Sequence, residues 1–256
     1  MKLSQVFINE KIAREEAKFA NSNDVVLEVG SGKLNLTKFL CQRAKYVVAI
    51  EKDKKLFEIS LKLAKNIDIK NLEIWNKDFL KLGKEDYERL KDLGTNKIIS
   101  NPPYHISSKI LIKTYEICKE VGIKEVYYAL QKEFVEHLLA TSGKKYSRIS
   151  VFANLHFEIN QIFEIKKENF NPVPKVDSIF IRLKPKYFEL EKEKEEIINL
   201  LMQQKKKTLK NAIKIAFGIE ETKNFREELL KKRVFNLSPN ELVEIATIIK
   251  NSKKQK

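Results

Sequence analysis

Short apolar runs alternate with longer amphipathic segments from Asp24 to about Lys184. Five of the runs predict buried strands: Val25–Val29, Tyr46–Ile50, Leu72–Trp75, Lys97–Ser100 and Val126–Leu130. The segments between them carry apolar residues at helical spacing, such as Leu56 and Leu63, with charged residues on the opposite face. Alternation of this kind predicts a parallel sheet covered by helices on both faces. A β-branched run from Val176 to Leu183 predicts one more strand that closes this region.

The character of the sequence changes after Pro185. Strand signals disappear, and charged, helix-prone segments continue toward the end of the chain. One helix start is explicit, because Ser238 fits an N-cap, Pro239 the first helical position and Glu241 the third residue after the cap. The pattern therefore predicts an α/β domain over residues 1–185 and a small all-helical domain over residues 186–256.

The chain is strongly basic, with 50 lysines and arginines against 35 aspartates and glutamates and a net charge of +15. This balance favours an anionic partner, either nucleic acid or an anionic membrane surface. Lys205, Lys206 and Lys207 form a tight cluster and are candidates for that contact. The alternative is that these lysines form only a solvated face.

Composition and spacing exclude several other classes of protein. No apolar run approaches the roughly 18 residues that a membrane-spanning helix needs. The first residues carry charges throughout and lack the apolar centre of a secretory signal, so we expect a cytoplasmic protein without a membrane partner. Cys41, Cys118 and the three histidines show no metal-ligand spacing, and we expect no metal.

A glycine-rich turn follows the first predicted strand of the sheet. In the segment Glu28–Thr37, Gly30 and Gly32 let the backbone approach a ligand, and the next helix presents free N–H groups. Glu51, at the end of the second strand, is a carboxylate that can accept both hydroxyl protons of a ribose. Asp78, after the third strand, adds an acceptor for an adenine amino group. Because ligands of doubly wound sheets bind at these carboxyl ends, the series predicts a nucleoside site.

The sharpest signal is Asn101-Pro102-Pro103-Tyr104, at the end of the fourth predicted strand. Two consecutive prolines stiffen the turn. Such a turn can hold the Asn101 side-chain oxygen and the Pro102 carbonyl toward a single amino group. Tyr104 then offers a flat face on which a base can stack.

Taken together, these motifs resemble S-adenosylmethionine-dependent methyltransferases that modify adenine amino groups. Further segments are similar to the family of ribosomal RNA adenine dimethyltransferases that act on small-subunit RNA: Gln5-Val-Phe-Ile8, Leu130-Gln-Lys-Glu-Phe134, Lys145-Tyr-Ser-Arg-Ile-Ser150, Phe170-Asn-Pro-Val-Pro-Lys-Val-Asp-Ser178 and Gln203-Gln-Lys-Lys-Lys-Thr-Leu-Lys-Asn-Ala212. The resemblance covers nearly the entire chain. It implies a Rossmann-like methyltransferase sheet, followed by a small helical domain that contacts RNA.

The resemblance also implies roles for individual residues. The cofactor, S-adenosyl-L-methionine, would be held by a set of residues that meet at the strand ends: Val6, Ile8, Glu28, Gly30, Gly32, Glu51, Asp78 and Asn101. Asn101, Pro102 and Tyr104 would carry the methyl transfer, and Tyr104 and Phe170 would sandwich the flipped adenine. The implied partner is ribosomal RNA in a small-subunit assembly particle. The implied product is dimethylated adenine at two adjacent positions near the 3' end of that RNA. We expect the enzyme to be a monomer.

The sequence departs from the family pattern at three positions. Val6 replaces a usual polar residue, Leu34 a common glycine, and Pro102 the leucine of the usual Asn-Leu-Pro-Tyr. The last change resembles DNA adenine methyltransferases and leaves open whether one methyl or two are added. The alternatives are therefore a methyltransferase for large-subunit RNA or DNA, or a non-catalytic RNA-binding assembly factor.

Overall fold

A seven-stranded sheet forms the centre of the computed structural model, which describes residues 7–220 and 222–253. The strands of this sheet are β2 (Val25–Val29), β3 (Tyr46–Ile50), β4 (Leu72–Trp75), β5 (Lys97–Ser100), β6 (Glu125–Gln131), β7 (Phe157–Ile165) and β9 (Ser178–Pro185). Their order across the sheet is β4-β3-β2-β5-β6-β9-β7. The first five are parallel neighbours, whereas β9 runs antiparallel to β6. A separate short ladder pairs β1 (Phe7–Ile8) with β8 (Phe170–Asn171) in antiparallel orientation.

Helices follow the parallel strands, as the alternating pattern predicts. They are α1 (Glu10–Ala17), α2 (Thr37–Cys41), α3 (Lys54–Asn66), α4 (Lys84–Asp92) and α5 (Ser107–Val121). Local chemistry sets their ends: the Asp53 carboxylate accepts a hydrogen bond from the Leu56 amide at 3.0 Å and so caps α3. At the C-terminal end of α5, Gly122 has a φ of +88°, a left-handed conformation that glycine adopts without strain. Because β2, β3, β4 and β5 are parallel, their carboxyl ends lie at the same edge of the sheet.

The five predicted strands from Val25 to Leu130 are all present, and the expected Rossmann-like α/β architecture is confirmed. Two features differ from the sequence prediction. The strand expected from Val176 begins at Ser178. β7 was not predicted, because its sequence contains no continuous apolar run. β7 lies at the end of the sheet and most of its residues are partly or fully exposed, so it lacks the continuous apolar signal of a central strand.

Residue contacts divide the chain into two compact units. The first contains the sheet and comprises the residues up to Val135 together with Glu158–Pro185. The second comprises Glu136–Phe157 and the chain from Lys186 onward. The sequence boundary after Pro185 coincides with one of these divisions, but residues 136–157 had been expected in the first domain. They group with the second unit because Tyr146, Val151 and Leu155 are buried in its apolar core.

Helices make up this second unit in the part of the chain that the structure describes. After α6 (Lys132–Leu139), within which the division falls, they are α7 (Arg148–His156), α8 (Lys192–Gln203), α9 (Leu209–Phe217), α10 (Glu227–Lys231) and α11 (Pro239–Lys253). The predicted start of α11 is confirmed: the Ser238 hydroxyl accepts from the Glu241 amide at 3.3 Å, and the Glu241 carboxylate accepts from the Ser238 amide at 2.7 Å. Leu242, Ile245 and Ile249 then place one face of this helix in the core.

Candidate active site

The turn after β2 brings backbone amides to the carboxyl edge of the sheet. Gly30 and Gly32 have φ values of +76° and +55°, which L side chains rarely adopt. The Gly30 amide donates to the Ile50 carbonyl at 2.7 Å, so the turn is tied to the end of β3. A Cβ atom added to Gly30 would lie 3.6 Å from Cδ of Pro103. The glycine turn and the diproline segment are therefore immediate neighbours.

Glu51 is held at the end of β3 by backbone donors. Its carboxylate accepts from the Gly32 amide at 3.0 Å and from the Asp53 amide at 2.7 Å. Burial raises the pKa of this carboxyl, and the two backbone hydrogen bonds work against that rise. A carboxylate oxygen can accept more than one hydrogen bond, so a fixed and partly satisfied Glu51 can still receive the hydroxyl groups of a ribose.

Asp78 has two partners at the end of β4. Its carboxylate accepts from the Leu80 amide at 3.1 Å, which caps a short helical turn, and pairs with the Lys52 ammonium at 2.8 Å. Burial alone would raise the pKa of Asp78, but the hydrogen bonds and the Lys52 charge outweigh it and hold the pKa below its usual range. Asp78 is thus an anionic acceptor on the wall of the same cavity as Glu51.

Asn101 lies directly after β5, and a hydroxyl group fixes the strand end that carries it. The Ser100 hydroxyl donates to the Val29 carbonyl at 2.6 Å and accepts from the Val29 amide at 3.2 Å, which joins the ends of β5 and β2. The Asn101 Nδ2 atom donates to Oε2 of Glu16 at 2.7 Å. Its Oδ1 atom is buried and has no hydrogen-bond partner. Asn101 lines the cavity, and its side chain keeps one acceptor atom without a hydrogen-bond partner.

Sequence reasoning missed both Ser100 and Glu16. Glu16 is fully buried on α1, where Ala13 and Ala17 form the rest of the buried face. A glutamate at i+3 on an otherwise small and apolar helical stripe was the signal available in the sequence. Ser100 offered no comparable signal, because its partner on β2 is known only once the two strands are paired.

The aromatic residues of the expected sandwich, Tyr104 and Phe170, are neighbours. Their ring centroids are 6.2 Å apart and the ring planes meet at 79°, an edge-on arrangement. The Tyr104 hydroxyl lies 2.7 Å from the Ser178 hydroxyl, and burial raises the pKa of Tyr104 to about 12. Two rings that stack on both faces of a base must be parallel and about 7 Å apart, so the sandwich remains a prediction that requires one ring to turn.

Three further residues were predicted to bind the cofactor: Ile8, Val6 and Glu28. Ile8 is buried, lines the cavity and accepts a hydrogen bond at its carbonyl from the Asn35 side chain at 3.2 Å. Val6, for which a backbone contact with the cofactor was expected, lies outside the described residues. Glu28 is buried at the end of β2, and its Oε2 atom has no hydrogen-bond partner.

We expect Glu28 to make folding stability fall as pH rises. Burial raises the pKa of its carboxyl from 4.5 to about 8, and the nearby Glu51 carboxylate adds to the rise. Between these two pH values the folded protein binds more protons than the unfolded chain, so stability decreases with increasing pH. Glu28→Gln should flatten part of this decrease in urea unfolding measured across that interval. The exposed Glu58→Gln is the matched control, and an equal pH dependence in both variants would contradict the assignment.

One cavity of about 350 Å³ in the first unit is lined by the glycine turn, Ile8, Glu28, Glu51, Asp78, Asn101, Tyr104 and Phe170. The volume lies at the lower end of the range for small-molecule sites, roughly 300 to 1,000 Å³. The cavity wall combines a glycine turn, the two carboxylates of Glu51 and Asp78, and the side chain of Asn101. Acceptors of this kind and spacing along three consecutive strand ends fit the nucleoside part of S-adenosylmethionine.

Comparison with known proteins decides the family. The model of the family described as ribosomal RNA adenine dimethylase matches residues 3–251. The chain belongs to this family. The predicted family is thereby confirmed, and with it the expectations of an S-adenosylmethionine-dependent enzyme that methylates ribosomal RNA adenine.

Individual relatives of this dimethylase cover most of its length. It is 33% identical over 253 residues to a probable ribosomal RNA small subunit methyltransferase A of Methanopyrus kandleri, covering 93% of this chain and 86% of the relative. It is 36% identical over 230 residues to a ribosomal RNA small subunit methyltransferase A of Caldanaerobacter subterraneus, covering 86% and 82%. Among solved structures, a dimethyladenosine transferase from Plasmodium falciparum has a TM-score of 0.75 at 24% identity, covering 97% of this chain and 98% of that one. The last similarity shows the shared fold.

The dimethylase keeps the backbone conformation of a glycine at Leu34. This residue has φ +62°, although its side chain is only 1% exposed. A left-handed conformation costs a leucine about 1 to 2 kcal/mol, whereas full burial of its side chain contributes about 1.5 to 3 kcal/mol. The buried side chain therefore offsets the strain of the left-handed conformation at this position.

The lysine cluster of the second unit is not uniform. Lys206 and Lys207 are exposed. Lys205 is half-buried, and its ammonium donates to the Tyr146 carbonyl at 2.9 Å. The three lysines had been predicted as one RNA contact, but the structure gives Lys205 a partner within its own unit.

The described residues contain neither a metal-binding cluster nor a membrane-spanning helix. Within 7–220 and 222–253, no three or more His, Cys, Asp and Glu side chains are grouped so as to hold a metal ion. In the same part of the chain, no helix combines the length and apolarity needed to cross a membrane.

Proposed function

We propose that this dimethylase transfers methyl groups from S-adenosylmethionine to the exocyclic amino groups of adenines in small-subunit ribosomal RNA. The observation that carries the proposal is the unpartnered Oδ1 atom of Asn101, a residue that lines the same cavity as Gly30 and Glu51. The relatives whose names specify the small subunit, at 33% and 36% identity, support this choice of RNA. The proposed context is a cytoplasmic small-subunit assembly particle, on which the enzyme acts as a monomer.

The residues of the cavity have separate tasks in this proposal. When bound, S-adenosylmethionine supplies an electrophilic methyl group. Glu51 and Asp78 accept hydrogen bonds from its ribose and adenine, while Gly30 and Gly32 leave room for its close approach. Glu28 and Ile8 also line this cavity. The backbone of the glycine turn and the carboxylates thus fix where the methyl donor lies.

Asn101 and Pro102 prepare the nucleophile. An adenine amino nitrogen is weakly nucleophilic because its lone pair is delocalised into the ring. Hydrogen bonds from that amino group to the Asn101 Oδ1 atom and the Pro102 carbonyl favour a pyramidal nitrogen, whose lone pair can attack in line. Stacking on Tyr104 and Phe170 orients the base and offsets the few kcal/mol that unstacking it from RNA costs, at about 1 to 3 kcal/mol per stacked face.

No general base is assigned in this reaction. The nitrogen becomes cationic only as the methyl group arrives, so its proton can pass to water afterwards. The work of the protein is therefore to position the base and to polarise its amino group.

The test is to identify the product. Immature small subunits, mature large-subunit RNA and adenine-containing duplex DNA are incubated separately with enzyme and S-adenosylmethionine, digested, and analysed by mass spectrometry. The proposal expects N6,N6-dimethyladenine, located at two adjacent positions, from the small subunits alone. Methylation confined to large-subunit RNA or to DNA would contradict the target. The absence of product from all three would favour a non-catalytic assembly factor.

We expect Lys206 and Lys207 to contribute phosphate contacts. Changing both to glutamine should weaken RNA binding and reduce the dependence of log K on log salt by about 0.7 to 0.9 per lost contact. Lys205 is left intact because its ammonium is bonded to a carbonyl. Lys62→Gln with Lys65→Gln, two exposed positions on α3, is the matched control. If both double variants show the same dependence of log K on log salt, Lys206 and Lys207 are solvated surface residues and do not contact phosphates.

A further inference from the structure

Glu16 is a buried carboxylate that the proposed chemistry does not use directly. Its side chain is 0% exposed. Its Oε2 atom accepts from Asn101 Nδ2 at 2.7 Å, and its Oε1 atom has no hydrogen-bond partner. Burying a carboxylate with one donor costs stability, because water satisfied more of its hydrogen-bonding capacity before folding. A methionine or leucine at this position would fit the apolar face of α1 at lower cost, so packing does not account for the glutamate.

The contact determines which end of the Asn101 amide faces the cavity. An amide side chain has a donor nitrogen and an acceptor oxygen of nearly equal size, and it can turn end for end. An ionised carboxylate only accepts hydrogen bonds, so it attracts Nδ2 and repels Oδ1. With Nδ2 on Glu16, the oxygen is left free for a donor. Without Glu16, the nitrogen could face the adenine amino group, and two donors would meet.

The surroundings of Glu16 keep this interaction strong. Burial raises the pKa of Glu16 to about 8 and so favours its neutral form, whereas the hydrogen bond from Asn101 opposes that rise and favours the ionised form. Helix α1 itself is fixed: the Asn9 side chain caps it by accepting from the Ile12 amide at 3.0 Å, and the Asn9 amide donates to the Asn169 carbonyl at 2.8 Å. The carboxylate is therefore presented from a rigid element.

We propose that Glu16 is a positioning residue that orients the Asn101 carboxamide, with its oxygen free to accept from the adenine amino group. This inference rests on the proposed function of Asn101. Glu16 acts through Asn101 and touches neither the base nor the methyl donor. Its contribution is to select one of two amide orientations before the substrate binds.

The test compares three substitutions on α1. Glu16→Met removes the acceptor and keeps the volume, and it should lower kcat by about tenfold or more with KM for S-adenosylmethionine and RNA affinity unchanged. Glu16→Gln restores an acceptor oxygen but adds a donor, so it should recover only part of kcat. Glu15→Met is the matched control, because Glu15 is the adjacent residue and pairs with Lys18 at the surface. It should leave kcat unchanged.

Each outcome has a defined meaning. A wild-type kcat in Glu16→Met overturns the inference, as does an equal loss in Glu16→Gln and Glu16→Met. If Asn101→Ala keeps full turnover, the proposed role of Asn101 fails instead, independently of Glu16. Should Glu16→Met not fold, side-chain amide NMR of Asn101 decides: the inference expects one downfield, slowly exchanging Nδ2 proton in the wild type, whereas two solvent-like amide protons overturn it.

Discussion

Asn101→Ala should reduce methyl transfer by at least about a hundredfold, comparable to removal of one preorganised polar group from other active sites. The change deletes the free Oδ1 acceptor, which polarises the adenine amino group. RNA affinity should stay nearly intact, because phosphate contacts dominate such binding. Single-turnover kinetics with a saturating RNA substrate, together with a binding isotherm, measure the two quantities separately.

A stability control must accompany this variant. Asn101→Ala also removes the Nδ2 donor from buried Glu16, and a buried acceptor that loses its partner costs about 1 to 3 kcal/mol. Thermal unfolding therefore sets the temperature at which both proteins are fully folded and can be compared. Turnover at the wild-type rate under those conditions would remove Asn101 from the mechanism.

The second large effect is expected on stability, at Lys97. Its ammonium lies 2.8 Å from the Asp24 carboxylate, and the two side chains are only 9% and 6% exposed. It also donates to the Phe19 carbonyl at 2.8 Å. Lys97→Met leaves Asp24 as a buried charge without its counter-ion, which typically costs about 3 to 5 kcal/mol. Urea unfolding of the variant measures the loss.

A double variant isolates the charge from the packing. Asp24 keeps donors from the Asn21 amide at 2.8 Å and from the Asn96 side chain at 3.0 Å. Lys97→Met combined with Asp24→Asn removes the charge, but it also replaces one acceptor oxygen by a donor amide. We expect it to recover part of the lost stability. If the double variant is as unstable as Lys97→Met, the unpaired charge of Asp24 is not the main cause of the loss.

The predictable part of the fold is the part that local patterns determine. Val25–Val29 is buried on every residue, so its apolar run predicts a central strand without knowledge of its neighbours. β7 is different, since its position at the end of the sheet leaves most of its residues partly or fully exposed. Similarly, the helix start at Ser238 depends on residues three apart, whereas the grouping of residues 136–157 with the second unit depends on long-range packing.

The same division applies to the candidate site. The positions of Glu51 and Asp78 on the cavity wall were predictable because both follow parallel strands, whose ends meet at one edge of the sheet. Glu16 and Asn101 are 85 residues apart in sequence, and their contact exists only after α1 packs beside β5. Lys205 shows the converse, since a run of identical residues hides the bond that one of them makes to the Tyr146 carbonyl.

The single hydroxyl at position 100 has a consequence for how freely the site can be varied. It supplies both halves of a reciprocal bond with the main chain of Val29, at a point where Ser100 itself is fully buried. Cysteine or alanine there would be small enough to fit, yet neither replaces an oxygen that donates and accepts at once. A saturation library selected for methyl transfer should therefore return serine, with threonine as its rare substitute, even though residue 100 never meets the substrate.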